Sequence, residues 1–431
     1  MMEQLLEMVR KVSDKSEIYL VDSRGDSVSF EDAHLKDIEG RIQSGISLRI
    51  IKNATLGFAY TKNLMNRKEL IQNALDSLKG GVEGLFELPL TSNLPSVDTY
   101  DPSIETLTNS AMVEECGRVC EFLSQKIKGQ INMSASRTMS RLRIVNSSGT
   151  DLSLKSSAYF LHTEILYPYS SASLHRTLVS KTFKKARDEY LNFLADTYNQ
   201  SEKEVSPDGR KMKVLFLPET IYVLMWRLQN ATSGQSIYQN ISPVTEKIGQ
   251  KIFDEKLSIY NDPLNDSLPH ARAFDDEGTP CSHFPLVDMG VLKNFYYDLY
   301  FATKLKTSPT GHGFKGSVSS KPAPSLSHLC ITPGNKSFSD LVQSMDRGII
   351  IAGALGAHSG NIPNGDFSIG VAPGIYVEKG EIVGHVKDVM AAGNIYDILK
   401  NVVEIENTLH PCFGGNFPSL LFDNVNVTIK K

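Results

Sequence analysis

Phe274-Asp275-Asp276-Glu277-Gly278 opens a stretch that runs through Thr310-Gly311-His312-Gly313-Phe314, Gly353-Ala354-Leu355-Gly356-Ala357-His358 and Gly365-Asp366-Phe367-Ser368-Ile369-Gly370 to Ala392-Gly393-Asn394. Read singly, each piece is ordinary. An Asp-Asp-Glu-Gly run has the composition of a solvated turn, and Gly-His-Gly that of a loop with one positive φ. The Gly-rich run from Gly353 to Gly370 lacks the Gly-Lys-Ser/Thr ending of a P-loop and does not lie between a strand and a long helix, so it reads as tight turns between strands.

Working outward, residues 213–217 form a strand, and Pro218 and Glu219 open a helix, since proline suits a first turn and an acid favours the amino-terminal end of the dipole. Ile221, Leu224, Met225 and Leu228 make the inward stripe of that helix. Beyond it, strands and Gly/Pro turns dominate, with short helices near 337–345 and 394–402 and a final strand from Leu420 to Ile429. The polar run 199–210, ending Pro207-Asp208-Gly209-Arg210, reads as a domain boundary.

Before that boundary, Met2, Leu5, Leu6, Val9 and Val12 lie at helical spacing. Strand-like runs follow from Glu17 to Val21 and Ser27 to Phe30, around a turn at Arg24-Gly25-Asp26. A further run from Gly45 to Ile51 meets a hairpin turn at Asn53 and Ala54. Residues 67–79 are helical in pattern. After a proline-bearing loop, Met112, Cys116, Val119, Cys120, Leu123 and Ile127 stripe a long helix. Strands return from Ile131 to Ala135, Ser140 to Val145 and Thr150 to Leu166, with a turn at Asn146-Ser147-Ser148-Gly149. A helix carrying Phe183, Ala186, Tyr190, Leu191 and Leu194 ends near Tyr198. The repeated order of helix, strands and turn suggests an internal duplication. The expected fold is α+β: residues 1–205 form an amino-terminal α/β domain with antiparallel hairpins and long helices, and residues 211–431 a carboxy-terminal domain of mainly antiparallel β structure.

The 431-residue chain has 41% apolar and 22% charged residues and a net charge of −4, which argues against a general nucleic-acid binder. Lys181 to Arg187, its densest basic cluster, alternates with apolar residues as the wet face of a helix would. No run of 18 apolar residues occurs, and Met2-Glu3-Gln4-Leu5-Leu6 carries no secretory signal pattern. Five scattered cysteines fit a reducing cytoplasm. Cys116 and Cys120, four apart on an apolar stripe without a second Cys/His pair, read as core residues. Cys412 reads as structural. His162 and Glu164 share one side of a strand but lack a partner histidine.

The stretch quoted above, followed by Gly374-Ile375-Tyr376-Val377-Glu378-Lys379-Gly380-Glu381-Ile382, resembles the carboxy-terminal half of the TldD/PmbA family, and more narrowly its PmbA (TldE) branch. TldD-type members carry His-Glu-x-x-x-His in the helix that here begins at Pro218. Two imidazoles hold zinc there, and the glutamate takes a proton from metal-bound water. The matching residues are Trp226-Arg227-Leu228-Gln229-Asn230-Ala231. Trp226 has no lone pair for a metal, Arg227 is a cation and Ala231 has no donor. The resemblance therefore implies a subunit with no catalytic residue and no metal or cofactor of its own, zinc being expected on a TldD-type partner. The pair would act on unfolded or precursor peptides. The family's label as a modulator of DNA gyrase is indirect and implies no DNA contact.

Tyr222, Trp226 and Gln229 share the helix face away from the apolar stripe, which is either a peptide or partner surface or is covered by the second domain. The family-signature positions Asp275, Asp276, Glu277, Gly278, His312, His358, Asp366 and Asn394 carry no assigned role. Two alternatives remain open. One is a self-sufficient hydrolase with a metal held by Asp275, Asp276 and Glu277 together with His270, His283, His312 or His358. The other is a homodimeric peptide-binding protein.

Overall fold

The amino-terminal half is built on strands far longer than its turn residues suggest. β1 (Lys15–Glu31) and β2 (His34–Lys52) form a hairpin through Asp32 and Ala33, both at positive φ, and β2 turns through Asn53 and Ala54, again both positive, into β3 (Thr55–Thr61). Two successive positive φ values mark the tight turn whose twist matches that of the strands. β4 (Gln130–Asn146), β5 (Asp151–Leu166) and β6 (Ser173–Ser180) complete an antiparallel sheet in the order β3-β2-β1-β4-β5-β6. The structure is a computed structural model that describes every residue except 1, 64, 413 and 431.

Each half of this sheet has one helix before its first strand and one after its third. α1 (Met2–Arg10) and α2 (Arg67–Ser77) flank the first half, and α3 (Asn109–Ser124) and α4 (Asp188–Ser201) flank the second. Leu5, Val9, Leu70 and Ala74 cover Ile18, Leu48 and Ile50, while Cys116, Val119, Leu191 and Leu194 cover Ile131, Ala135 and Leu161. Strand alternation sends the intervening residues to the opposite face. There Tyr19, Leu142, Ile144 and Leu152 meet Phe274 and Val318 from the second half of the chain.

Two expectations fail here. Arg24-Gly25-Asp26 is not a turn: β2 and β4 hold it extended from both sides, and Asp26 takes Arg137 in an ion pair. Lys181 to Arg187 is not helical either. It crosses α3 in open conformation, with Phe183 edge-on to Tyr159 and the Ala186 N–H donating to buried Glu115, so α4 begins only at Asp188.

β7 (Lys211–Phe216) sits inside a nine-stranded sheet between Leu420–Ile429, antiparallel to it, and Arg347–Ile351, parallel to it. Val214 and Phe216 face the core under α5 (Tyr222–Thr232), and Leu215 and Leu217 face a core shared with α3 and α4. The two halves of the chain thus share one core face. A second, six-stranded sheet, built from short strands such as Ile259–Asn261 and Leu329–Ile331, packs on the α5 side. The fold is α+β with mainly antiparallel sheets. Among the described residues no helix is long and apolar enough to cross a membrane.

Candidate functional site

α5 carries Trp226 to Ala231, the residues that the sequence reading sets against the family's zinc motif. Its apolar stripe of Val223, Leu224, Met225 and Leu228 is fully buried, which fixes the rotation of the rest. Trp226 then points outward and is 42% exposed, Tyr222 and Gln229 are half-buried at the rim, and Ala231 is buried. Arg227 turns inward and is wholly buried. Its Nη1 donates to the Val223 carbonyl (2.7 Å), Nε to that of Asp366 (2.6 Å), and Nη2 to those of Ala357 (3.0 Å) and Ser359 (2.7 Å). Four of the five guanidinium N–H donors are thereby spent on backbone carbonyls. Burial lowers the pKa of Arg227, and the nearby Asp366 charge offsets part of that.

Three of the four carbonyls that Arg227 holds belong to the Gly-rich loop, so three signature positions gather around it. The Asp366 carboxylate accepts from Asn394 Nδ2 (2.8 Å), which also donates to the Asn364 carbonyl, while Asn394 Oδ1 caps the N–H of Tyr396. His358 is exposed on the same loop. Positive φ at Gly356, Gly360 and Gly365 lets the loop turn back on the helix.

Asp275, Asp276 and Glu277 are not the solvated turn that their composition suggests, because cations from elsewhere in the chain meet them in the interior. Asp275 accepts three backbone N–H groups, from Glu277, Thr279 and Gly313. Asp276 pairs with Arg272 at 2.6 Å and accepts the Lys315 N–H. Glu277 pairs with Arg49 at 2.6 Å and accepts the Leu299 N–H. Arg49 also pairs with Glu17, its direct neighbour across the β1–β2 ladder. A side chain at Gly313 would collide with Glu277, since its Cβ would stand 2.2 Å from Oε2.

Burial pushes Asp275 and Glu277 above the usual carboxylate range, helped at Asp275 by the charge of Glu277 and at Glu277 by that of Glu17, against the pull of those N–H donors and of Arg49. Burial, then the charge of Glu277, raises Asp298 to about 7, and burial lowers Lys315 to about 8. Lys315 donates to Ser47 Oγ and lies against the Tyr19 ring. The arrangement joins β1 and β2 to the second half of the chain by buried charge.

The histidines do not join these acids. His312 is buried against Phe284, with Nε2 facing the Asn261 amide and Nδ1 facing Thr310 Oγ1. Asn261 Oδ1 accepts the His328 N–H, so its NH2 group faces His312 and the ring proton sits on Nδ1. Burial lowers His312 to about 4. His283 lies beside Asp262, and His270 stacks on Phe160. His162 bonds Thr177, and Glu164 accepts from Asn132. Burial pushes the Cys116 and Cys120 thiols up to about 12 and about 11, and raises that of Cys412 well above its ordinary value. Among the described residues, no three His, Cys, Asp or Glu side chains form a group able to hold a metal ion. Sequence reading missed Arg49, Glu17 and Lys315. The available signal was a charged residue inside an otherwise apolar strand run, as in Leu48-Arg49-Ile50.

Residues 209–429, half of the chain, match the PmbA/TldA metallopeptidase C-terminal domain, and residues 16–78 match PmbA/TldA metallopeptidase domain 1. The chain belongs to the PmbA/TldD family. The Metalloprotease PmbA homolog of Buchnera aphidicola is 23% identical, over 98% of this chain and 95% of that protein. TldE from Thermococcus kodakarensis shares the fold at TM-score 0.91 and 23% identity, covering 99% of both chains. A Thermotoga maritima protein named for modulation of a DNA gyrase shares it at TM-score 0.87 and 24% identity, again over 99% of both. Within the PmbA/TldD fold of this chain, α5 presents an outward tryptophan, a carbonyl-bound arginine and a buried alanine.

Proposed function

We propose that this chain is the PmbA/TldE-type subunit of a zinc peptidase pair and carries no catalytic zinc itself. It would bind a TldD-type partner and help to hold an unfolded or precursor peptide beside the partner's metal. The observation that carries the reading is Arg227. At the position matching the family's zinc motif, a buried cation already takes the four carbonyls that surround it, and Trp226 and Ala231 supply no donor. A zinc ion needs anionic or lone-pair ligands there and a water to activate, so these residues do not fit it. The acidic run offers no substitute, because its oxygens are engaged by Arg49, Arg272 and backbone N–H groups.

The family supports a peptide as substrate, since its models describe metallopeptidase domains. An extended peptide adds readily to exposed strand edges, which this β-rich chain provides. The test is cleavage of an unstructured peptide by the purified chain, alone and mixed with a His-Glu-x-x-x-His family member, each with and without chelator. Activity confined to the mixture and abolished by chelator is expected. Chelator-sensitive cleavage by the chain alone, in proportion to its own bound metal, would overturn the reading.

A further inference from the structure

The basic run that ends at Arg187 is pinned by its apolar members. Phe183 lies edge-on to Tyr159, and Ala186 is held through both backbone groups, its N–H donating to Glu115 and its carbonyl accepting from Arg118. With these two residues turned inward, Lys184 and Lys185 stand out from the surface, and Arg187 follows at the start of α4; all three are exposed. Among the described residues none of the three makes an ion pair within the chain. They rim a cavity of about 680 Å³ that β6, the first turn of α4 and the segment at His410 and Pro411 also line.

Arg176 of β6 lines the same cavity and is only 8% exposed. Its guanidinium stacks on Phe193, with Cζ 3.7 Å from the ring centroid, and its Nε donates to Glu219 at 3.3 Å. The ring sets the plane of the guanidinium, and the Nε bond sets its rotation within that plane. Nη1 and Nη2 meet no acceptor among the described residues. They are the fork that grips both oxygens of a carboxylate. The charge balance around the fork is positive. Glu219 offsets Arg176, and His410 faces Glu406 at 3.1 Å. Lys184, Lys185 and Arg187 then stand against Glu189, the single carboxylate among the described lining residues, in a chain whose net charge is −4.

We propose that this cavity binds an acidic segment of peptide, with one carboxylate seated on the Arg176 fork and neighbouring acids on Lys184, Lys185 and Arg187. The inference rests on the proposed function in taking the ligand to be a peptide. A single phosphate would leave most of this volume empty, and cations spaced along an open backbone run match acids spaced along an extended chain. The two parts of the site act differently. The nearly buried fork is directional and selects a planar two-oxygen acceptor. The exposed rim adds attraction that salt screens. The chain thereby favours acidic peptides over neutral ones of the same length. The site uses none of Trp226, Arg227 and Ala231, on which the proposed function stands.

Fluorescence anisotropy of the full chain alone tests this, with a labelled unstructured peptide that carries alternating glutamates and a counterpart that carries glutamines instead. The glutamate peptide should bind about tenfold more tightly at low salt. R176K keeps a cation beside Glu219 but loses the fork, and should weaken that binding about tenfold. K184Q/K185Q, at exposed positions, should weaken it by a similar factor, about tenfold, and flatten its salt dependence. Circular dichroism checks the fold of both variants. Equal binding of the two peptides overturns the inference, as does a K184Q/K185Q chain that binds like wild type. A folded R176K chain with undiminished affinity also overturns it, since the attraction would then be a diffuse basic surface. So does inorganic phosphate that binds more tightly than the glutamate peptide. No partner subunit is needed, so an acidic peptide that fails to bind here, beside a mixture that still cleaves peptide, strikes this inference and leaves the proposed function standing.

Discussion

Arg49 and Glu277, 228 positions apart, meet in an ion pair of 2.6 Å with both side chains buried. Arg49 lies on β2 and Glu277 in the acidic run of the second half, so the pair spans the two parts of the chain. Glu17 binds the same guanidinium from β1. A buried pair of this kind adds little over an apolar contact when intact, but its loss leaves charge stranded without water.

Replacing Arg49 with methionine should therefore destabilise the protein by about 3–5 kcal/mol, because Glu17 and Glu277 lose their cation in the interior. Adding E17Q and E277Q to R49M removes the stranded charges and should recover part of the loss. Denaturant midpoints of the single and triple variants measure both effects, and a triple variant no better than R49M would contradict the charge argument.

Arg227 differs in kind, since its partners are carbonyl dipoles, three on the Gly-rich loop and one on its own helix. R227M should cost about 3 kcal/mol and raise amide exchange between Gly356 and Asp366, where the loop loses its anchor. R227K should rescue poorly, because an ammonium group on a shorter reach cannot serve four carbonyls set around a planar fork. Exchange confined to the loop, with α5 still protected, is the expected pattern.

The pH dependence follows from Asp298. Its folded pKa lies near 7 against an ordinary 3.8, so the folded chain holds a proton that the unfolded chain has released. Stability from this group is complete below about pH 4 and is lost as pH rises through 7. D298N keeps the bond that Asp298 Oδ1 accepts from the Phe301 N–H, at 2.7 Å, without the titration. Melting temperature should thus fall less for D298N than for wild type between pH 5 and 8. Equal slopes would remove Asp298 from the account.

Much of the fold is legible in the sequence because it is local. Asn53 and Ala54 mark their own turn, and the stripe from Met112 to Leu123 marks its own helix. Arg24-Gly25-Asp26 has turn composition, yet β2 and β4 hold it straight, and nothing nearby in sequence announces those neighbours. The acidic run is misread for the same reason: whether Glu277 is solvated depends on Arg49, far away in the chain. Arg227 was legible as a non-ligand from its chemistry alone. Its four carbonyl partners were not, because three of them lie on a loop some 130 residues later.

Trp226 offers a test of the outward face of α5, since it is the only tryptophan in the chain and is 42% exposed. Labelled with 5-fluorotryptophan, the chain should give a single fluorine resonance, sensitive to solvent at that one position. If the face formed by Tyr222, Trp226 and Gln229 receives a TldD-type subunit or its peptide, adding that subunit should shift the resonance and reduce its response to exchange of water for deuterium oxide. W226F should leave folding intact and weaken the association by about tenfold, as expected for an aromatic anchor near the edge of a contact. An unchanged resonance in a mixture that cleaves peptide would place the partner surface elsewhere on the chain.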